Sequence, residues 1–233
     1  MRQLLPSPAT EVDLGAAYGS ADRRPHHGRP WVVANFVSSA DGSATLDGRS
    51  GPLGSGLDRR VFRLLRSLAD VVLVGAGTVR AERYGPVRGP DPAPLAVVSA
   101  SLDLDWQGRL FTDAVARPLV ITGAASDPER RAHAAQVAEV VVIGEERVDL
   151  GRAVAALGGR GHRVVLCEGG PSVLGQLLAA DALDELCLTL SPILVGGDGP
   201  RIASHAQPAR PLELRPVSLL EEDGTLFLRY LRR

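Results

Sequence analysis

The feature that most constrains this chain is an alternation of two local patterns. Short runs rich in β-branched and other apolar residues recur at Trp31–Val37, Val71–Val74, Leu95–Val98, Leu119–Thr122, Val140–Ile143 and Arg163–Cys167, each followed by Gly, Ser, Asp or Glu. Helical patterns follow several of them, at Leu57–Leu68, Pro128–Val137, Leu150–Leu157 and Ser172–Ala180. Strands that alternate with helices predict parallel βαβ units and a sheet covered by helices. Runs as apolar as Val71-Val72-Leu73-Val74 suit strands buried on both faces.

The two ends of the chain depart from this pattern. Leu186–Leu190, Leu212–Leu220 and Thr225–Leu231 read as strands with no helix between them. Glu221-Glu222-Asp223-Gly224 carries the Asp-Gly signal of a tight hairpin. The expectation is therefore an α/β fold with a mostly parallel central sheet that ends in an antiparallel hairpin. Residues 1–30 read as an irregular arm, because Tyr18–Pro30 is rich in Pro, Gly, Arg and His without periodicity. Residues 31–233 read as one domain.

Composition narrows the function classes. The chain has 233 residues, 45 % apolar and 23 % charged, with 26 basic and 27 acidic side chains and a net charge of −1. That argues against disorder and against a general field for nucleic acid, so any ligand phosphate must be met by local donors. All the basic residues are Arg. The absence of Lys excludes Schiff-base chemistry and a P-loop. Cys167 and Cys187 lie in apolar runs and read as buried hydrophobes in a reducing compartment. No signal pattern or membrane-length apolar run occurs, which predicts a cytoplasmic protein without a membrane partner. The five histidines form no HxxxH pair and no CxxC is present, so no metal site is expected.

Four segments carry candidate chemistry. Gly75 and Gly77 in Val74-Gly75-Ala76-Gly77-Thr78-Val79-Arg80 let backbone approach a ligand between a strand and a short helix, where N–H groups favour a phosphate. Arg80 stands where a Rossmann fingerprint has its third glycine. Cys167-Glu168-Gly169-Gly170-Pro171-Ser172 forms a second such junction, with Pro171 suited to a first helical turn. Two glycine-lined strand ends on one sheet can hold a pyrophosphate between them. The plainer alternative for each is a tight strand-to-helix turn. Asn35–Ser50 is a polar loop with hydroxyls at Ser38, Ser39, Ser43 and Ser50. Leu57–Leu68 is an amphipathic helix whose arginines form a solvated face, except that Arg66, one turn after Phe62, is placed to turn elsewhere.

These motifs stand in a fixed order: Asn35, Ser38-Ser39-Ala40-Asp41-Gly42, Ser50, Arg66, Ala69-Asp70, Val74–Val79, Glu168–Pro171, Asp184-Glu185-Leu186, Ser191-Pro192 and Gly196-Gly197. In that order the chain resembles the reductase domain of the riboflavin-biosynthesis deaminase–reductases and its standalone relatives, over residues 31–233. The resemblance implies a dihydrofolate-reductase-like α/β/α fold, NADPH as cofactor and a homodimer. It implies reduction of 5-amino-6-(5-phosphoribosylamino)uracil, a phosphorylated aminopyrimidine, to its ribitylamino product. It places Gly75, Gly77, Thr78, Val79 and Glu82 at the cofactor, and Gly169, Gly170, Pro171 and Ser172 at its pyrophosphate. Ser38 falls where cofactor and substrate meet. Asn35, Ser50 and Arg66 fall on the substrate, the last two at its phosphoribosyl group, and Glu168 contacts the substrate.

The chain departs from the family in lacking the HxE and PCxxC of a deaminase domain. It has Asn35 where some members carry Lys, and Glu82 where the family has Asp. The expected chemistry is hydride transfer to C1′ of a ring-opened imine, with the protein mainly positioning the reactants. The accompanying proton could come from Asp41, Glu168 or a bound water. Two other readings keep the fold: a pterin or folate reductase, and a non-catalytic NADPH-binding paralogue.

Overall fold

The first half of the chain supplies four of the sheet's strands. In the computed structural model, which describes residues 1–19 and 21–233, it comprises β1 (Arg2–Leu5), α1 (Leu14–Gly19), β2 (Trp31–Ser39), a 3-10 turn at Gly51–Leu53, α2 (Gly56–Ser67), β3 (Val71–Gly75), α3 (Ala76–Glu82), β4 (Leu95–Val98) and α4 (Arg109–Thr112). Next come β5 (Leu119–Thr122), α5 (Pro128–Val137), β6 (Glu139–Val142), α6 (Leu150–Gly158), β7 (Val164–Cys167) and α7 (Pro171–Ala179). Three strands end the chain: β8 (Glu185–Ser191), β9 (Leu214–Glu222) and β10 (Thr225–Arg232). They form one ten-stranded sheet in the order β1-β9-β10-β8-β2-β7-β3-β4-β5-β6. From β8 to β6 every neighbouring pair is parallel, and β8, β10, β9 and β1 pair antiparallel.

The strands at the centre serve two cores at once. Val72 and Val74 of β3 pack with Leu57, Val61 and Leu65 of α2. Val71 and Leu73 face the other way, onto Ala153 and Val154 of α6 and Val173 and Leu174 of α7. A period of two on a sheet buried on both faces produces this division, and it makes the three-layer α/β/α architecture. Helices α2, α5 and α6 begin where side chains supply caps. Ser55 accepts from the Asp58 N–H at 3.1 Å, Asp127 from Arg130 at 2.9 Å and Asp149 from Arg152 at 3.0 Å. Asp70, just before β3, accepts from the N–H groups of Arg163 and Val164 at 2.7 and 2.8 Å. That contact fixes the start of β7 beside β3. The β9–β10 hairpin turns at Asp223 and Gly224, both with positive φ, as an Asp-Gly type I′ loop requires.

Residues 1–30 are not the irregular arm expected from their composition. β1 pairs with β9, and α1 buries Leu14 and Tyr18. Ser20, within the stretch read as irregular, lies outside the described residues. The reason for the difference is tertiary. A four-residue strand and a six-residue helix with glycine at two positions have little local preference, and distant partners hold them. Because β1 covers β9, the C-terminal hairpin does not leave β9 as an open edge of the sheet.

A buried ion cluster locks this segment to the sheet. Glu185, at the start of β8, accepts from Arg23 Nε and Nη2 at 2.9 and 2.8 Å, from Arg229 Nε at 2.7 Å and from Trp31 Nε1 at 3.2 Å. Its neighbour Asp184 takes a bidentate pair from Arg29 at 2.6 and 2.8 Å and the Val32 N–H at 2.8 Å. Burial alone would raise the Glu185 pKa, but the hydrogen bonds and charges of Arg23 and Arg229 outweigh it and hold the carboxyl below its ordinary value. Cys167 and Cys187 are buried free thiols, and burial pushes Cys167 up to about 12. No helix among the described residues is long and apolar enough to cross a membrane.

Removing the Glu185 carboxylate strands two buried guanidinium groups. Glu185→Ala is expected to cost about 3–5 kcal/mol of unfolding free energy at pH 7, measured by urea denaturation. A depressed carboxylate pKa contributes stability above its unfolded value. The difference between wild type and variant should therefore be full at neutral pH and shrink as pH falls through the lowered folded pKa.

Candidate active site

The site forms because two strand ends meet. β3 and β7 are neighbours, and β3 ends at Gly75 while β7 runs into Glu168-Gly169-Gly170. The Gly75 N–H donates to the Gly169 carbonyl at 2.7 Å. Gly169 has φ +99°, a conformation that favours glycine, and the Gly169–Gly170 peptide is cis. A Cβ on Gly170 would lie 2.6 Å from Thr78 Oγ1, so the start of α7 packs directly on the first turn of α3. Neither helix has a side-chain cap at its N-terminus. Their first N–H groups are left for another acceptor, as an anion-binding helix start requires.

A cleft of about 450 Å³ opens at these carboxyl ends. Its lining includes Gly77, Thr78, Glu82, Glu168, Gly170 and Pro171, together with Asn35, Phe36, Ser50, Asp58, Arg59 and Phe62. A Cβ on Gly77 would meet nothing within 4 Å, so backbone there is open to close approach. The glycine cradle and the uncapped helix starts fit a dinucleotide. Among the described residues, no group of three or more His, Cys, Asp or Glu side chains could hold a metal ion.

Of the residues singled out from sequence, Asn35, Ser50, Gly77, Thr78, Glu82, Glu168, Gly170 and Pro171 line the cleft. Gly75 and Gly169 form the backbone contact beneath it. Ser172 stands in the first turn of α7, where its hydroxyl accepts from Gln176 at 3.2 Å. Val79 is buried in the core under α3. Ser38 is also buried, and its hydroxyl donates to the Ser39 carbonyl at 2.9 Å.

Three carboxylates bond to groups of the protein itself. Glu168 accepts from Arg66 Nε and Nη2, both at 2.7 Å, and from the Tyr84 hydroxyl at 2.9 Å. Arg66 is therefore the α2 arginine that turns inward, and it lies over the Phe62 ring at 4.2 Å. Burial, reinforced by the Glu168 charge, pushes the Tyr84 hydroxyl well above its ordinary pKa and keeps it a donor. Glu82 accepts from the N–H and hydroxyl of Ser50 at 2.6 and 3.0 Å, pinning the polar loop to α3. Asp41 accepts from the Ser39 hydroxyl and from the N–H groups of Val195 and Gly196, at 3.1 and 2.6 Å to Oδ2. Those bonds, led by Ser39, lower its pKa to about 2. Asp41 ties two loops together outside the cleft lining.

Asp58, Tyr84, Phe36 and Phe62 were not legible as site residues. Asp58 reads from sequence as an acid favoured in a first helical turn, and Tyr84 as an aromatic after a helix. Only the fold brings them into one cleft with Glu168.

The fold is of dihydrofolate-reductase-like architecture, with one cleft at the carboxyl ends of its parallel strands. Residues 30–226 match the RibD C-terminal domain, and the chain belongs to that family. It is 33 % identical over 211 residues to the 2,5-diamino-6-ribosylamino-4(3H)-pyrimidinone 5′-phosphate reductase of Methanothermobacter thermautotrophicus, covering 84 % of this chain and 95 % of that one. A pyrimidine reductase-like protein from Corynebacterium diphtheriae superposes with TM-score 0.81 at 30 % identity, over 95 % of this chain and 99 % of that one. Dihydrofolate reductase from Enterococcus faecalis shares the fold, with TM-score 0.52 and 13 % identity, over 87 % of this chain and 96 % of that one.

The cradle at Gly170 has no room for a side chain. Gly170→Val is expected to weaken cofactor affinity by about tenfold or more in calorimetric titration, roughly 1.4 kcal/mol. Its melting temperature, read in parallel, should show a folded protein. Unchanged affinity in that folded variant would place the dinucleotide elsewhere.

Proposed function

We propose that the chain reduces a phosphoribosylaminopyrimidine at ribosyl C1′, using NADPH. The observation that carries this reading is the meeting of two glycine strand ends on one cleft that also holds Asn35, Ser50, Arg59 and Glu168. A bound reduced nicotinamide supplies the hydride. Gly77, Thr78 and Gly170–Ser172 hold it through backbone groups at two helix starts. The substrate lies against Asn35, Ser50 and Glu168, in its ring-opened imine form. When bound, the nicotinamide would supply hydride to C1′, while a proton goes to the imine nitrogen to give the ribitylamino product.

The committed groups shape the remaining assignments. Asp41 is an ionised loop anchor, and Glu168 accepts through both oxygens. Of the three expected proton sources, a bound water is the one assigned. Arg66 acts by fixing Glu168. Arg59, exposed on α2 and lining the cleft, supplies the cation for the phosphate together with Ser50.

The 5-amino uracil expected from the sequence and the 2,5-diamino pyrimidinone that names the Methanothermobacter relative differ at ring C2, away from the reacting carbon. Assays with NADPH should therefore show turnover of phosphorylated aminopyrimidine, followed by loss of nicotinamide absorbance and by the mass of the ribityl product. Removing the substrate phosphate should lower kcat/KM by about 10- to 100-fold, the worth of a charged hydrogen bond. Dihydrofolate proving the better substrate would favour a pterin reductase, and no turnover at all would favour a binding paralogue.

A homodimer in the cytoplasm belongs to the same reading. Leu194 is 79 % exposed and Ile193 38 % exposed on the loop after β8, which gives such an interface apolar contact area. Light scattering at micromolar concentration should give twice the chain mass; a monomer contradicts the dimer.

A further inference from the structure

The part of the chain that builds most of the cleft lining carries a charge that the whole chain lacks. Residues 48–84 hold seven arginines against three acidic side chains, a net +4 in a chain of net −1. Arg66 and Arg80 are paired with Glu168 and Asp103. Among the described residues, Arg49, Arg59, Arg60, Arg63 and Arg83 are exposed and meet no carboxylate within salt-bridge distance. Three segments bring four of them to one mouth. Arg49 belongs to the polar loop, and its Nε donates to the carbonyl of the cleft residue Ala81 at 3.2 Å. Arg59 lines the cleft, and Arg63 follows one turn later on α2, beside Phe62. Arg83 stands between Glu82 and Tyr84, which both line the cleft. The Arg66 guanidinium lies 4.2 Å from the Phe62 ring and 5.4 Å from the Tyr84 ring, which brings the stretches carrying Arg63 and Arg83 to the same lip. The carboxylates of the lining, Asp58, Glu82 and Glu168, are less exposed and bond to Thr189, Ser50 and Arg66. Like charges gathered around one opening repel, and an anionic ligand relieves that repulsion.

Resting on the reductase reading, we infer that this arginine lip is a capture surface for the substrate's 5′-phosphate, acting over distance before the phosphate reaches Arg59 and Ser50. A phosphate monoester carries nearly two negative charges at neutral pH. The Debye length of about 8 Å at physiological ionic strength lets such a lip pull beyond contact range. Arg63 and Arg83, which do not line the cleft, act through this field and not through a bond in the bound complex. They raise the rate of productive encounter and leave the chemical step alone. The dephosphorylated pyrimidine is neutral and feels no such pull.

Salt separates a field from a contact. Wild-type kcat/KM for the ribosylamino 5′-phosphate, at saturating NADPH, should fall about tenfold or more between about 10 mM and about 1 M salt, as the Debye length shrinks from about 30 Å to about 3 Å. Arg63→Gln combined with Arg83→Gln should lower it about five- to tenfold at the low salt, with kcat unchanged, and less than about twofold at the high salt. Arg152→Gln combined with Arg215→Gln, at exposed positions on α6 and β9 outside the cleft lining, changes the net charge equally and should have no effect at either salt. The dephosphorylated pyrimidine should respond to neither salt nor variant. Calorimetric binding of the ribitylamino 5′-phosphate product, which needs no turnover, should weaken in the Arg63, Arg83 variant at low salt alone. A loss that persists at high salt marks a direct contact or a structural defect. An equal loss with the dephosphorylated pyrimidine, or in the Arg152, Arg215 variant, marks a general effect. Either result overturns the inference, as does no loss at all, and each leaves the reductase reading intact. If wild type neither binds nor reduces either pyrimidine, the reductase reading falls and this inference falls with it.

Discussion

The cleft depends on how closely β3 and β7 approach where they end. The Gly75 N–H reaches the Gly169 carbonyl at 2.7 Å, and a Cβ on Gly75 would come within 3.1 Å of Val173. Glycine at 75, 169 and 170 lets α3 and α7 start side by side instead of being pushed apart by side chains. Their uncapped N–H groups then converge on one space. The register behind this is set at the other end of the same strands, by the Asp70 carboxylate on the N–H groups of Arg163 and Val164. A local motif at one end of a strand pair thus relies on a hydrogen-bond anchor at the other.

Carboxylates do most of the remaining organisation, each by a different division of labour. Asp184 and Glu185 neutralise arginines in the interior and tie residues 1–30 and β10 to β8. Asp41 and Glu82 fasten loops through backbone N–H groups. Glu168 is held rigid by Arg66 and Tyr84, which gives the cleft a fixed anionic wall. Glu82 and Asp58 each accept from the protein through one oxygen only, from Ser50 and Thr189.

Much of the fold was legible because it is written locally. The apolar runs at Leu95–Val98 and Leu119–Thr122 became strands with those same bounds, and Pro128–Val137 became a helix with its own. The glycines at both strand ends were legible for the same reason, since positive φ and close approach demand that residue type. β1 and α1 were not, because their stability comes from β9 and from the buried Arg23–Glu185–Arg229 cluster, more than 150 residues away in the chain. Arg66 could be seen as the odd arginine of its helix. Its partner could not, because Glu168 lies 102 residues further on. Asp58 carried no signal at all: an acid in a first helical turn is ordinary, and only the fold brings it to Thr189 and into the cleft.

The central claim is that the two glycine strand ends seat one dinucleotide beside one pyrimidine in a single cleft. A crystal structure of the ternary complex with NADP⁺ and a ribitylamino 5′-phosphate product tests it most directly. The account predicts the pyrophosphate against the backbone of Gly170–Ser172, the nicotinamide beside Thr78, and its C4 about 3–4 Å from C1′ of the ribityl chain, the separation that hydride transfer needs. A dinucleotide bound away from Gly170, or a pyrimidine lying outside the space between Asp58 and Glu168, would contradict it.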